Sequence, residues 1–318
     1  MFVFKLTIAT LIFYIGFSHN LKEIGYQTSY IDDIDYVNQM PVVEVWFSAN
    51  TGVDKDIDNL LESLLYPQHQ ASDMLTQDAY AERFQALCSA YQTLCTKIVF
   101  AWDFSSYEKL IYTAAILRIV GQTDKLLGAS WLPSVIDALR TISINSEWWQ
   151  RRWGATRDTI VINTSLIKSF SEFFSVLTHE LGHIVDLWVI QWVSQNLDKN
   201  FTEFGKVVFT VDDPSITYYN VSWTNESTRS FQSMSHDFCS GYGMTNPFED
   251  FAECFNLYMN HNAYFRYIAQ DSDILQQKYN FLANILNGAY LFASPRDVIL
   301  AQEKISWRRP WDSTRIWQ

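Results

Sequence analysis

The stretch Leu177–Trp188, LTHELGHIVDLW, decides how the chain is read. His179, Glu180 and His183 form H-E-x-x-H. In a helix, positions i and i+4 share one face about 6 Å apart, so both imidazoles can reach one ion. Glu180 lies about 100° round from His179, beside the ligand pair, where a general base for a metal-activated water must stand. The plain alternative is two histidines sharing a face by accident. That face is otherwise apolar, with Phe173, Val176, Ile184 and Val185 around it. Buried polar groups need partners, and one metal supplies a partner for both rings.

A catalytic zinc also needs a third protein ligand and an open position for water. Residue 189 is Val, so the H-E-x-x-H-x-x-G-x-x-H spacing is not met, and His236 comes too late. The third ligand is therefore expected to be a carboxylate on a later helix. NPFEDFAECF (Asn246–Phe255) offers Glu249, Asp250 and Glu253. Glu249 and Glu253 are i and i+4, so one can bind the metal while the other orients a ligating histidine. A charged surface face fits this helix poorly, because Phe248, Phe251, Ala252, Phe255 and Leu257 surround the carboxylates. Half-buried carboxylates without a cation are costly. Asp186 is a candidate to hold a metal histidine, against a plain helix-surface carboxylate. His236 and Asp237 are candidates for substrate contact, against a loop role.

These segments resemble a known family. HELGHIVD (His179–Asp186) followed by YGMTNPFEDFAECF (Tyr242–Phe255) is similar to the gluzincin-type zinc metallopeptidases, and specifically to the catalytic domain of anthrax lethal factor. That domain carries H-E-x-G-H-x-V-D and then Y-x-x-T-N-x-x-E-x-F-A-E, which Tyr242, Thr245, Asn246, Glu249, Phe251, Ala252 and Glu253 match. The segment also resembles secreted zinc metallopeptidases with SGYxMTNPxEDFAE. The resemblance rests on two motifs within residues 160–290. It implies His179, His183 and Glu249 as zinc ligands, Glu180 as base and Tyr242 as oxyanion donor. Position 250 is Asp where the toxin has Phe, so an Asp250 ligand stays open. The first 150 residues do not resemble the toxin's docking parts, and its substrate does not carry over.

The expected function is a secreted zinc-dependent metallopeptidase with one Zn2+ per chain. It would hydrolyse peptide bonds through a zinc-bound water activated by Glu180, with the Tyr242 hydroxyl meeting the oxyanion. The alternatives are a zinc amidase acting on cell-wall peptides and a catalytically inactive zinc-containing protein that binds peptides. The partner is a peptide or protein substrate. DTIVINT (Asp158–Thr164) is the natural strand for it to pair with by strand addition.

The rest of the chain bounds this reading. Apolar residues make up 48% of 318, enough for a substantial core. A formal charge of -12 argues against nucleic acid and anionic membranes, which need a basic footprint. At the N-terminus one lysine precedes an apolar run, Leu6–Phe17, too short to span a bilayer. Residues 1–18 read as a signal peptide, with an uncleaved anchor as the alternative and no other membrane contact. Residues 19–40 are an N-terminal extension and 41–318 the metallopeptidase domain, in an N-terminal part (41–190) and a C-terminal part (191–318). The protein is then secreted or held at the cell surface.

Cys88, Cys95, Cys239 and Cys254 allow two disulfides in three connectivities; in an exported chain the sequence neighbours are the simplest pairs. Cys88 and Cys95 in one continuous helix would be about 10.5 Å apart along the axis, so their bridge requires a broken helix. Asn163, Asn200, Asn220 and Asn225 begin Asn-x-Ser/Thr triplets. Asp54–Asn59 resembles the start of a calcium loop but lacks its glycine, which favours an acidic helix turn. The tail WRRPWDSTRIW is expected to pack on the domain rather than bind polysaccharide.

The fold expected is α+β, mostly helical and zincin-like, with a small mixed sheet and an H-E-x-x-H active-site helix. Pro41–Ala49 alternates as a strand, Lys55–Tyr66 has helical spacing, and Asp158–Ser165 is a short β-branched strand. Helices are expected over Asp78–Tyr91, Ser106–Gly121, Pro133–Ile142, Ser169–Val193, Asn246–His261 and Asp273–Leu286. Strands are expected in GKVVFTV (Gly205–Val211) and ITYYNVSW (Ile216–Trp223).

Overall fold

Start signals set the helices. The computed structural model describes residues 76–128, 133–146, 152–156, 158–190, 200–205, 207–291 and 309–316, all within the unit Val42–Gln318. The expected signal peptide, the 19–40 extension, the strand at 41–49, the helix at 55–66 and the acidic turn at 54–59 lie outside the described residues. Thr76 opens α1 (Gln77–Ala90), its hydroxyl accepting from the Ala79 N–H at 3.2 Å. The chain breaks at Tyr91 and restarts as α2 (Gln92–Cys95). That break brings the Cα atoms of Cys88 and Cys95 to 5.4 Å, and the two are disulfide-bonded.

After β1 (Ile98–Phe100), Ser105 and Glu108 form a reciprocal capping box at the head of α3 (Ser106–Leu127). The helix expected over 133–142 shrinks to one turn, α4 (Val135–Ala138). The alternating β-branched run that follows is taken by β2 (Thr141–Asn145). Next come β3 (Trp153–Ala155) and β4 (Thr159–Asn163). The sheet order is β1-β2-β4-β3, parallel except for β3, which runs antiparallel to β4. Ile142, Ile144, Ile160 and Ile162 are fully buried in the core.

Ser169 caps α5 (Phe170–Ile184), which continues as a π-helical turn through Ile190. By length and composition Phe170–Ile190 could cross a membrane, yet 83% of its most apolar stretch is buried inside the protein. It is the central core helix. Beyond it lie the two-residue pair β5 (Asn200–Phe201) and β6 (Phe209–Thr210), all that forms of the expected 205–211 strand. The expected strand at 216–223 is instead helical at its start. The Asp213 carboxylate accepts from the Ser215 N–H at 2.8 Å and Pro214 fills the first turn, so α6 (Pro214–Tyr219) forms there. Only at Trp223 does β7 (Trp223–Asn225) begin, paired with β8 (Thr228–Arg229). Then follow α7 (Pro247–Asn260), α8 (Asn262–Ala269) and α9 (Asp273–Ile285). The result is an α+β fold, mostly helical, with a small mixed sheet.

Two features place the site. At Gly182 on α5 an added Cβ would stand 3.1 Å from the Ala252 Cα of α7, so glycine lets these helices touch backbone to backbone. The Cys239–Cys254 disulfide, with Cα atoms 5.3 Å apart, ties the loop before α7 to the helix itself. Two disulfides are compatible with an extracellular protein.

Candidate metal centre

α5 presents His179 and His183 one turn apart, with ring centroids 5.0 Å from each other. The Asn246 side chain caps α7 by accepting from the Glu249 N–H at 2.9 Å, which sets Glu249 in the first turn, facing α5. Glu249 Oε2 lies 3.2 Å from His179 Nε2 and 3.4 Å from His183 Nε2. One ligand atom from each of the three residues falls within 4.8 Å of the others, a group that could hold a metal ion.

The donor set fits an ion on an observation independent of spacing. His179 Nε2 and Glu249 Oε2 are buried and close, yet neither has an aligned hydrogen bond. Two imidazoles and one carboxylate suit a borderline cation such as zinc. The His183 and Glu249 side chains keep 15% and 18% of their surface exposed, so the group opens on one side to solvent.

The surrounding charges act in step. Burial alone would lower His179, but contacts with Glu249 and Glu253 outweigh it and hold the imidazole well above its ordinary value. Burial is likewise outweighed at His183, by the Glu249 charge, and its pKa is raised. Burial would raise Glu249, yet His183 and His179 hold its carboxyl well below the usual range. A metal would take the place of these protons. Glu180 is buried beside the pair with one oxygen lacking any partner, and burial pushes it up to about 7 against the charges of His179 and His183.

Of the three candidate carboxylates on α7, each does something different. Glu249 faces the histidines. Glu253 Oε1 lies 2.8 Å from His179 Nδ1, on the far side of the ring from Glu249. Asp250 points away, fully buried, with Lys278 Nζ 2.7 Å from one oxygen and 2.9 Å from the other. It also accepts from Ser222 and Trp223. The ligand role left open for Asp250 is not what its surroundings serve.

Tyr242 sits in the short turn Tyr242–Met244, its hydroxyl donating to Glu249 Oε1 at 3.1 Å and its ring 6.1 Å from that of His179. Burial first and Glu249 second hold the phenol above its ordinary value. The neighbouring Gly241 is not needed for unusual backbone angles, since its φ is -65°. It is needed for space: a Cβ there would stand 2.5 Å from the Trp311 ring.

Other expected residues are placed elsewhere. The Asp186 carboxylate accepts from the Tyr219 hydroxyl at 2.5 Å and makes no hydrogen bond to a histidine among the described residues, so the expected support of a metal histidine is not what it gives. Burial pushes it up to about 7. Asp237 is buried and accepts from Ser272 at 2.6 Å and from the Met234 N–H, which removes it from substrate contact; His236 is exposed. The expected substrate strand at 158–164 is not an edge, because β4 lies between β2 and β3; among the described residues the edge strand next to α5 is β3. Asn163 is buried and hydrogen-bonded to Ser165, so it is closed to glycosylation in the folded chain.

Sequence reasoning missed Trp153, whose ring lies 6.2 Å from that of His179, and Arg152, stacked on Trp153 and paired with Glu172 and Asp312. The tail packs on the domain as expected, but the contacts of residues 309–316 at the site were missed. No spacing rule connects residues so far apart. Compared with protein-family models, curated proteins and solved structures, the chain finds no match.

Proposed function

We propose that the protein is a secreted zinc metallopeptidase of the gluzincin type. The observation that carries this reading is the convergence of one donor atom each from His179, His183 and Glu249 within 4.8 Å, with Glu180 buried beside them and one of its carboxylate oxygens without a partner. Two histidines and a glutamate leave one position open, as catalytic zinc sites do and structural ones do not. Zinc held there would polarise a substrate carbonyl and lower the pKa of a bound water toward 7.

The chain's own groups supply the rest. Glu180 takes the proton from the attacking water as the O–C bond forms, then returns it to the leaving amine as the C–N bond breaks. Its carboxylate is buried beside the histidines with one oxygen unpartnered, in place to accept that proton and release it. The Tyr242 hydroxyl, which here donates to Glu249, would turn to donate to the oxyanion. An extended peptide pairs with the edge strand β3. Two disulfides support export.

The test is a diverse peptide mixture read by mass spectrometry, alongside zinc content. Wild type should carry about one zinc per chain and cut peptides. Glu180→Gln should keep the zinc and lose cleavage. Cleavage of peptidoglycan with peptides untouched would make the protein an amidase. A gently purified wild type without stoichiometric metal sinks the reading.

A further inference from the structure

We infer that the C-terminal segment 309–316 positions the metal centre, and that the backbone N–H of Ser313 is the group that locks Glu253 against His179. This rests on the metal reading proposed above. The Ser313 N–H donates to Glu253 Oε2 at 2.7 Å, in a buried position, while Glu253 Oε1 faces His179 Nδ1 at 2.8 Å. Ser313 thus holds one oxygen of the carboxylate, which fixes the other in place beside the His179 ring. A carboxylate fixed at Nδ1 keeps the proton there and leaves the Nε2 lone pair for an ion, and such outer partners tune metal affinity.

The same segment touches the other two parts of the site. The Pro310 and Trp311 carbonyls accept from the N–H groups of Gly241 and Tyr242 at 2.8 and 2.6 Å, a two-rung ladder beneath the turn that carries the Tyr242 phenol. Asp312 pairs with Arg152, which also pairs with Glu172 in the first turn of α5. Asn256 on α7 donates to the Ser313 hydroxyl at 3.0 Å. One eight-residue stretch thus holds α5, α7 and the Tyr242 turn together. A segment that merely covered the core would have no reason to send a buried N–H to Glu253, the one carboxylate that faces the back of a ligand ring.

Ser313→Pro removes that N–H together with the hydroxyl that accepts from Asn256. Ser313 is the first residue of a helical turn, where proline fits. Asp312 before it is already extended, at φ -140° and ψ 120°, as a residue before proline prefers. Ser313→Ala is the control, because it drops the hydroxyl and keeps the N–H. Zinc affinity is measured on the full chain by competition with a chelator, and the melting temperature of the metal-free forms alongside. Ser313→Pro should weaken zinc by about 10–100-fold relative to Ser313→Ala. In a Glu253→Ala background, Ser313→Pro should bind as Ser313→Ala does, because the group it acts through is gone. Equal affinity in Ser313→Ala and Ser313→Pro overturns the inference. So does a loss of the same size in both backgrounds, which would mark a general structural effect even if the proline lowers the melting temperature. A wild type that binds no zinc overturns the metal reading itself and this inference with it.

Discussion

Glu249 and Asp250 are consecutive residues on the first turn of one helix, and they meet opposite surroundings. Asp250 is fully buried, with Lys278 across both oxygens and Ser222 and Trp223 completing the set. Glu249 is partly open, and its Oε2 has close neighbours in His179 and His183 but no aligned donor. The first is a finished structural ion pair. The second is half of something. Buried polar groups in folded proteins are nearly always satisfied, so a cluster of unsatisfied ones on converging side chains marks a place for a ligand. The difference between a charge that holds the fold and a charge held ready is thus visible one residue apart.

The comparison predicts that the two carboxylates fail differently. Asp250→Ala strands the Lys278 ammonium in the core and should cost about 3–5 kcal/mol of stability, while the molecules that remain folded still bind zinc. Glu249→Ala should cost the metal-free protein far less and remove stoichiometric zinc, and Glu253→Ala should weaken zinc less than Glu249→Ala does. Denaturant unfolding of the metal-free forms and zinc titration check both arms. The contrast collapses if Asp250→Ala is the one that releases the metal.

Tyr242 probes the border of the open cluster, since its hydroxyl donates to Glu249. If that hydroxyl serves the oxyanion, Tyr242→Phe should keep zinc and KM near wild type while kcat falls by about 10²–10³-fold. Steady-state kinetics on a substrate whose chemistry is rate-limiting decide it, and an unchanged kcat removes Tyr242 from the mechanism.

Asp186 is the intermediate case, with one oxygen held by Tyr219 and the other without a partner. Its folded pKa, about 7, lies above the ordinary 3.8. The protonated form is therefore favoured by folding. That contribution is present below pH 4 and is lost as pH rises to about 7. Asp186→Asn should flatten this part of the stability profile, by up to about 1.4 kcal/mol per pH unit. Urea unfolding at several pH values reads the slope; an identical slope in both proteins means that Asp186 ionises normally.

The metal residues were legible because helical spacing is local. His179 and His183 need only one turn of α5, and the apolar neighbours of Glu249 and Glu253 already set that helix against a core. The helix starts at Ser169 and Asn246 are legible for the same reason. What spacing cannot supply is direction around α7, which Gly182 and Lys278 settle from elsewhere in the chain. It also misleads where two local signals compete. The β-branched run after Asp213 reads as a strand, yet the Asp-Pro start turns it into α6. The pairing of Arg152 with Asp312 and of Ser313 with Glu253 carried no local signal, because those partners lie 160 and 60 residues apart.

The Cys239–Cys254 bond closes a 15-residue span that contains both Tyr242 and Glu249. In the chain-entropy description, closing a loop of that size removes about 3 kcal/mol of freedom from the unfastened form. Reducing that bond returns the freedom to the stretch that carries Tyr242 and Glu249, whereas His179 and His183 are spaced by α5 itself. The bond therefore bears on one side of the candidate metal group and not on the other.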